Sequence, residues 1–327
     1  MEGKRKTKTR DVYQKRIEEM TKWMKESHPT SYDLTEGHLI LPLDPALIME
    51  FMAKVSTIED SRTKEKKQAS ISVISSYRSA IGMLYEESQL KFNDATQLAF
   101  NQFASGYKRL VAEKKLVGEM KMQEGKSPIT FQGYNFVAKQ AMLSKSDHSL
   151  ATFAHLFLIL CWTLMARSVS VGTIMLDHLG WENDALLVTT PKHKGDQEGN
   201  HCYPKHVFAN PDNPFICPIL SMGIHFFSGG WRRDGSKHLL LQGAANESRF
   251  SKWLRELLRK YKDSLEVIGV LSFDIGTHSF RKGVATFAAS CPGGPSTAAI
   301  FLRAGWSLGA VTSRYIFAGE GGDQVST

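Results

Sequence analysis

Residues Phe153 to Ala166 form a fourteen-residue run in which only His155 and Thr163 interrupt apolar side chains. A helix that is apolar nearly all round has no face to offer water, so other elements must wrap it. The run is shorter than the roughly 20 residues needed to cross a bilayer. It is therefore expected to be the buried central helix of a globular domain in the second half of the chain, with Arg167 at its end.

A chain of 327 residues is long enough for two such domains, at roughly 150 residues each. With 42% hydrophobic and 23% charged residues, disorder and fibrous repeats are excluded. At this size about 75% of the surface of the unfolded chain can be buried, so no covalent staple is required. The four cysteines, Cys161, Cys202, Cys217 and Cys291, lie far apart with no Cys-x-x-Cys pair. Neither a disulfide framework nor a zinc ribbon is expected, and the spacing of His201, Cys202, His206 and Cys217 matches no established zinc pattern. No apolar core of a signal peptide follows the basic N-terminus. Without secretion, the glycosylation acceptor Asn246-Glu247-Ser248 has no meaning.

Lys and Arg number 41 against 33 Asp and Glu, a net charge of +8, which favours an anionic partner. The surplus is unevenly placed. Residues 1–10 hold Lys4, Arg5, Lys6, Lys8 and Arg10 against Glu2 alone, while the rest of the chain to Lys126 is balanced. Such a leader reads as a nuclear address, a nucleic-acid-binding arm or a solvated tail. On 249–263, Arg249, Lys252, Arg255, Arg259 and Lys260 recur three and four apart, either as a phosphate-contacting stripe or as a solvated face.

Residues 11–117 read as all-helical. Tyr13, Ile17, Met20 and Met24 make one stripe, and Pro45 opens a short helix over 46–55. Ile71, Ile74, Tyr77, Ile81 and Leu84 make a third stripe. Asn93 or Asp94 caps a fourth helix carrying Leu98, Phe103, Tyr107, Leu110 and Val111. Polar residues 118–126 then separate this bundle (11–126) from a second domain (127–327), where Thr130 can cap a new helix. Beyond the apolar run, 185–190 and 201–208 read as a β-hairpin around the turn-rich stretch 191–200. Helical character returns over 249–263, 277–290 and 296–304, broken by Pro292-Gly293-Gly294-Pro295. The expected fold is mainly α with a small β-hairpin or sheet.

The chemistry-bearing residues lie in the second domain. In Thr277-His278-Ser279-Phe280-Arg281-Lys282, His278 and Arg281 are three apart and share a helical face. Gly305-Trp306 follows, and nine residues after the tryptophan comes Tyr315. Upstream stand Arg167 and, at the hairpin tip, Lys192 and Lys194. A His-x-x-Arg pair alone is common, and a lone arginine after an apolar helix is more often half of an ion pair. The ordered set is what distinguishes this sequence.

That set resembles the catalytic domain of the tyrosine recombinases, the phage-integrase family. Arg167, Lys194, His278 with Arg281, Gly305-Trp306 and Tyr315 match its pattern in order. The Pro128-Ile129-Thr130 opening and the helical N-terminal domain extend the likeness over most of the chain. The basic leader, the tryptophan variant, Arg167-Ser168-Val169-Ser170 and residues 194–199 look like Crypton-type eukaryotic DNA transposons. The resemblance implies a core-binding four-helix domain joined to an α+β catalytic domain. It also implies duplex DNA as partner, self-assembly on that DNA, a nuclear site of action, and no metal or other cofactor.

It further implies roles. Arg167 and Arg281 would clamp the non-bridging oxygens of a phosphodiester, which gain charge in the pentavalent state. His278 would donate to that phosphate or take the tyrosine proton. Trp306 would pack and donate its indole N–H, Tyr315 would be the nucleophile, and Lys194 the general acid. Lys192 is the other choice; Lys194 is preferred for its distance from the second hairpin strand. The sequence departs from the family at Ser170, where many members carry an acidic residue, and in a slightly longer interval from Arg281 to Trp306. Only 12 residues follow Tyr315. Two other activities fit the same features: a domesticated DNA-binding protein without cleavage, and a type IB topoisomerase.

Overall fold

The computed structural model describes residues 7–59, 64, 66–122, 125–145, 147–189, 204–229, 231–232 and 238–306. The chain divides into two compact units, Met1–Glu124 and Gly125–Thr327. Among the described residues, no helix is long and apolar enough to cross a membrane.

The first unit is built on four helices: α1 (Thr7–Ser27), α2 (Pro45–Val55), α3 (Ile71–Glu87) and α4 (Asp94–Leu116). Their starts follow from local chemistry. Asp44 accepts from the Ala46 N–H with Pro45 in the first turn, Ser70 accepts from Val73, and Asn93, not Asp94, caps α4 through the Thr96 N–H. Met20, Met24, Ile48, Phe51, Met52, Ile81 and Phe100 form the core.

Two expectations for this unit need correction. It is not all-helical: β1 (Tyr32–Asp33) pairs with β2 (His38–Leu39), and β3 (Thr57–Glu59) with β4 (Lys66–Gln68), both antiparallel. The first pair is closed by the Asp33 carboxylate, which accepts from the Thr35 and Glu36 N–H groups at 2.7 and 3.0 Å, and by Gly37 at φ +74°. These are turn signals that a search for helical periodicity passes over. The buried face of α4 is Thr96, Phe100, Tyr107 and Val111, whereas Leu98 and Leu110 are exposed.

In the second unit, the helices are α5 (Phe131–Met142), α6 (His148–Thr163), α7 (Ser168–Val171), α8 (Pro218–Phe227), α9 (Asn246–Lys260), α10 (Lys262–Val267), α11 (Thr277–Ser290) and α12 (Thr297–Ala304). Every residue of α6 from Ala151 to Trp162 is buried. It is wrapped by α5, α8, α9 and α11, as a helix without a polar face requires. Ring stacking fixes the wrapping: Trp162 lies parallel to Tyr134 of α5 at 4.0 Å, and Phe157 stacks on Phe250 of α9 at 4.3 Å.

The expected hairpin is two strands of a three-stranded antiparallel sheet, β5 (Leu179–Glu182), β6 (Ala185–Val188) and β7 (Lys205–Val207), in the order β5-β6-β7. The additional strand, β5, is joined to β6 by the two-residue turn Asn183-Asp184, with Asn183 at φ +52°.

The opening at residues 127–130 does more than start α5. The Thr130 hydroxyl caps that helix through the Gly133 N–H at 3.1 Å. The Ser127 N–H donates to the Asp274 carbonyl at 3.0 Å and the Ile129 N–H to the Ser279 carbonyl at 3.1 Å. The segment is thereby tied along the start of α11. Closeness is possible because residue 283 is glycine: a Cβ there would run into the Ile129 carbonyl oxygen.

Candidate active site

The site begins where α6 stops. Leu164 and Met165 form a turn, Met165 at φ +47°, and the chain emerges extended at Arg167 (φ −73°, ψ 147°) before turning into α7. Arg167 therefore stands just past the end of the apolar helix, on the corner between α6 and α7. Its neighbour Ser168 is buried and donates its hydroxyl to the Glu247 carboxylate of α9 at 3.1 Å.

Helix α11 carries the His-x-x-Arg pair one turn apart, with different surroundings for each. His278 keeps part of its surface in solvent while its ring is partly desolvated, and Arg281 is 3% exposed. Arg281 donates from Nη2 to the carbonyl of Ala304, the last residue of α12, and its guanidinium carbon lies 5.2 Å from the Trp306 ring centroid. Gly305 makes this possible. It adopts φ +63°, and the Gly305 and Trp306 N–H groups then donate to Leu302 and Phe301 at 3.0 and 2.9 Å, which ends α12 and folds Trp306 back. The glycine before the tryptophan is thus a helix stop.

Arg167, His278 and Arg281 converge. The proton affinity of His278 is lowered first by desolvation, then by Arg167 and Arg281, with Lys282 adding to the effect and Glu247 opposing it. An imidazole shifted downward from 6.5 is neutral at pH 7 and able to accept a proton. Two permanent cations beside a neutral base, with Trp306 against one of them, suit an anionic ligand such as a phosphodiester.

Two cationic residues complete the cluster that sequence reading did not single out. Lys205, at the start of β7, donates to the Leu164 carbonyl at 2.8 Å. Arg303 of α12 donates to the Thr163 carbonyl at 2.6 and 3.2 Å and to the His206 carbonyl at 3.0 Å. The open carbonyls at the C-terminal end of α6 are thus held by positive groups from β7 and α12, as a helix C-terminus favours. Burial, followed by Arg281, Arg303 and Arg167, pushes the Lys205 amine down from 10.5 to about 7.

This displacement sets a pH dependence. Between about pH 7 and 10.5 the unfolded chain binds a proton at Lys205 that the folded chain gives up, so this residue adds stability as pH rises through that window. In Lys205→Met the contribution disappears. Stability relative to wild type is expected to be highest below pH 7 and to decline steadily towards pH 10. Urea midpoints at pH 6, 8 and 10 check this, and a difference independent of pH would refute it.

Lys192, Lys194 and Tyr315 lie outside the described residues, as do His201, Cys202, the hairpin tip 190–203 and residues 1–6 of the leader. Among the described residues, no group of three or more His, Cys, Asp or Glu could hold a metal ion. His206 pairs with Glu182 at 3.1 Å, and the Cys217 sulfur accepts from the Leu220 N–H at the start of α8. The basic run on α9 splits. Lys252, Arg255, Arg259 and Lys260 are exposed, whereas Arg249 lies 3.5 Å over the Phe153 ring.

No protein-family model matches the sequence, and no curated protein matches it. Solved structures do match the fold. The chain is similar to the Tn1549 transposon integrase in complex with circular intermediate DNA, with 14% identity over 94% of this chain and 94% of that one and a TM-score of 0.53. It is also similar to the XerH site-specific recombinase bound to its difH substrate in a pre-cleavage complex, with 12% identity over 94% of this chain, 75% of that one, and a TM-score of 0.54. At these identities the likeness is one of fold: a helical unit followed by a mainly helical unit that carries a small antiparallel sheet.

Proposed function

We propose that the chain is a tyrosine recombinase, which cuts and rejoins duplex DNA through a covalent 3′-phosphotyrosine. The observation that carries this is that Arg167, on the corner after α6, and Arg281, one turn along α11, both act on His278 although Arg167 lies more than 100 residues away in sequence, with Trp306 packed on Arg281. In the reaction, the Tyr315 oxygen attacks phosphorus, and its proton passes to the neutral imidazole of His278. The O5′–phosphorus bond breaks, and the leaving oxygen takes a proton from Lys194. Arg167 and Arg281 hold the non-bridging oxygens, whose charge grows as the pentavalent state forms. Reversal with another strand's 5′-hydroxyl rejoins the DNA without an external energy source, because the bond energy is kept in the phosphotyrosine.

Recombination for a transposon, assembly of several copies on DNA and action in the nucleus belong to the same reading. The transposon and nuclear roles are supported by the basic leader and by residues 167–170 and 194–199, and assembly on DNA by the family resemblance alone. The test starts from duplexes that the protein enriches from random DNA, nicked so that the cleaved end diffuses away. A detergent-resistant adduct is expected, with the DNA 3′-phosphate on the peptide containing Tyr315. An adduct on another residue overturns the assignment of the nucleophile. Binding without any adduct favours the domesticated binder, and relaxation of any plasmid by single copies favours a topoisomerase.

A further inference from the structure

The cluster around Arg167 and Arg281 is strongly cationic, and its parts come from elements that must be pressed together against their own repulsion. Arg167, Arg281 and Arg303 all bear on Lys205, while Arg167, Arg281 and Lys282 bear on His278. Among the groups acting on His278, the carboxylate is Glu247, and the same carboxylate acts on buried Cys161 near the end of α6. Glu247 lies in the first turn of α9, where a helix favours an anion. One of its oxygens is taken by the Ser168 hydroxyl, next to Arg167. Neighbouring Asn246 is buried and donates to the carbonyls of Gly172 and Leu241 at 3.2 and 2.7 Å, holding the start of α9 against the end of α7. Gly172 comes within 3.3 Å of Asn246 by the reach of a Cβ, so the two elements are in close contact.

We propose that Glu247 is a positioning residue for the phosphodiester chemistry: anchored by Ser168, its carboxylate holds the Arg167 corner and the His278–Arg281 turn together against their mutual repulsion. The inference rests on the recombinase reading for its chemical consequence, and on geometry alone for its electrostatic one. Because the carboxylate is engaged by Ser168, it offsets charge in the cluster without supplying a rival ligand for the phosphate's place between the arginines.

Glu247→Gln keeps the shape and the acceptor for Ser168 and removes the charge; Glu247→Asp keeps the charge on a shorter arm. In Glu247→Gln, His278 is expected to titrate at lower pH by NMR, because the anion opposing Arg167, Arg281 and Lys282 is gone. Covalent cleavage is expected to fall about 10²-fold, the usual effect of a misplacement of roughly 1 Å. DNA affinity should hold or rise, since a negative charge has left the phosphate site. Glu247→Asp should return the His278 midpoint towards wild type and recover part of the rate. A His278 titration unmoved in Glu247→Gln overturns the proposal, as does cleavage within twofold of wild type. If Glu247→Gln does not fold, Ser168→Ala, which removes the anchor alone, is expected to lower cleavage in the same direction; an unchanged rate there overturns it. A wild-type protein that forms no adduct defeats the recombinase reading instead, and Glu247 is then judged by the His278 titration alone.

Discussion

Arg281→Lys is expected to fold, to bind DNA within a few-fold of wild type, and to cleave it about 10²–10³ times more slowly, the usual loss when one preorganised donor to a developing oxyanion is removed. Charge is conserved by this change, so long-range attraction to the duplex persists. What is lost is the planar fork. Arg281 gives one N–H to the Ala304 carbonyl and lays its guanidinium against Trp306, and under the proposed function the same five-donor fork also serves a phosphate. A lysine ammonium at the end of a flexible stem cannot serve all three, and at 3% exposure water cannot make good the difference. Single-turnover cleavage with saturating DNA separates this from a binding defect. A lysine variant within tenfold of wild type would mean that Arg281 is structural, a tie between α11 and α12 rather than a phosphate ligand.

Gly283→Val is expected to be the most destabilising of the single substitutions considered, by about 2 kcal/mol or more, the middle of the range for overpacking a filled site. For a unit of roughly 200 residues that corresponds to a loss of roughly 4–8 °C in Tm. Two effects oppose each other here. Replacing a helical glycine gains up to about 1 kcal/mol in propensity, but the new Cβ meets the Ile129 carbonyl and closes on the Trp162 ring. Backbone cannot yield as a flexible side chain does, so the clash wins. Gly106→Ala in α4 is the control: nothing lies within 4 Å of its Cβ position, and Tm should hold or rise. Because the 127–130 segment fixes α11, residual activity of Gly283→Val should fall at temperatures where the protein is still folded. A Tm equal to wild type would show that α11 can slide on that segment freely.

Much of the second domain was legible because its signals are local. The apolar run had to be a buried helix, Thr130 had to cap something, and Thr277 to Ser290 is the span that periodicity gives. The Arg167, His278, Arg281 and Trp306 set was legible because order along the chain is itself information. What escaped depends on approach in space. Lys205 is one lysine among many until the strand pairing brings it to the end of α6, and Arg303 is an ordinary last-turn cation until its guanidinium reaches Thr163. Glu247 lies 79 residues from the serine it binds, and no spacing rule spans that gap. In the first domain, the β1–β2 and β3–β4 pairs were missed for the reverse reason. Strands of two or three residues are too short to show a period, and for the β1–β2 pair the signal lay in the turn residues Asp33 and Gly37.

The carbonyls at the end of α6 are gripped by Arg303, a residue translated 140 positions after Thr163. Under the proposed function this ordering is a safeguard in time. A ribosome-bound chain carries Arg167 long before it carries α11 or α12, and without them the corner lacks its second arginine, its imidazole and its tryptophan. An enzyme that opens the backbone of DNA would remain unarmed until α11 and α12 have been made and packed against that corner.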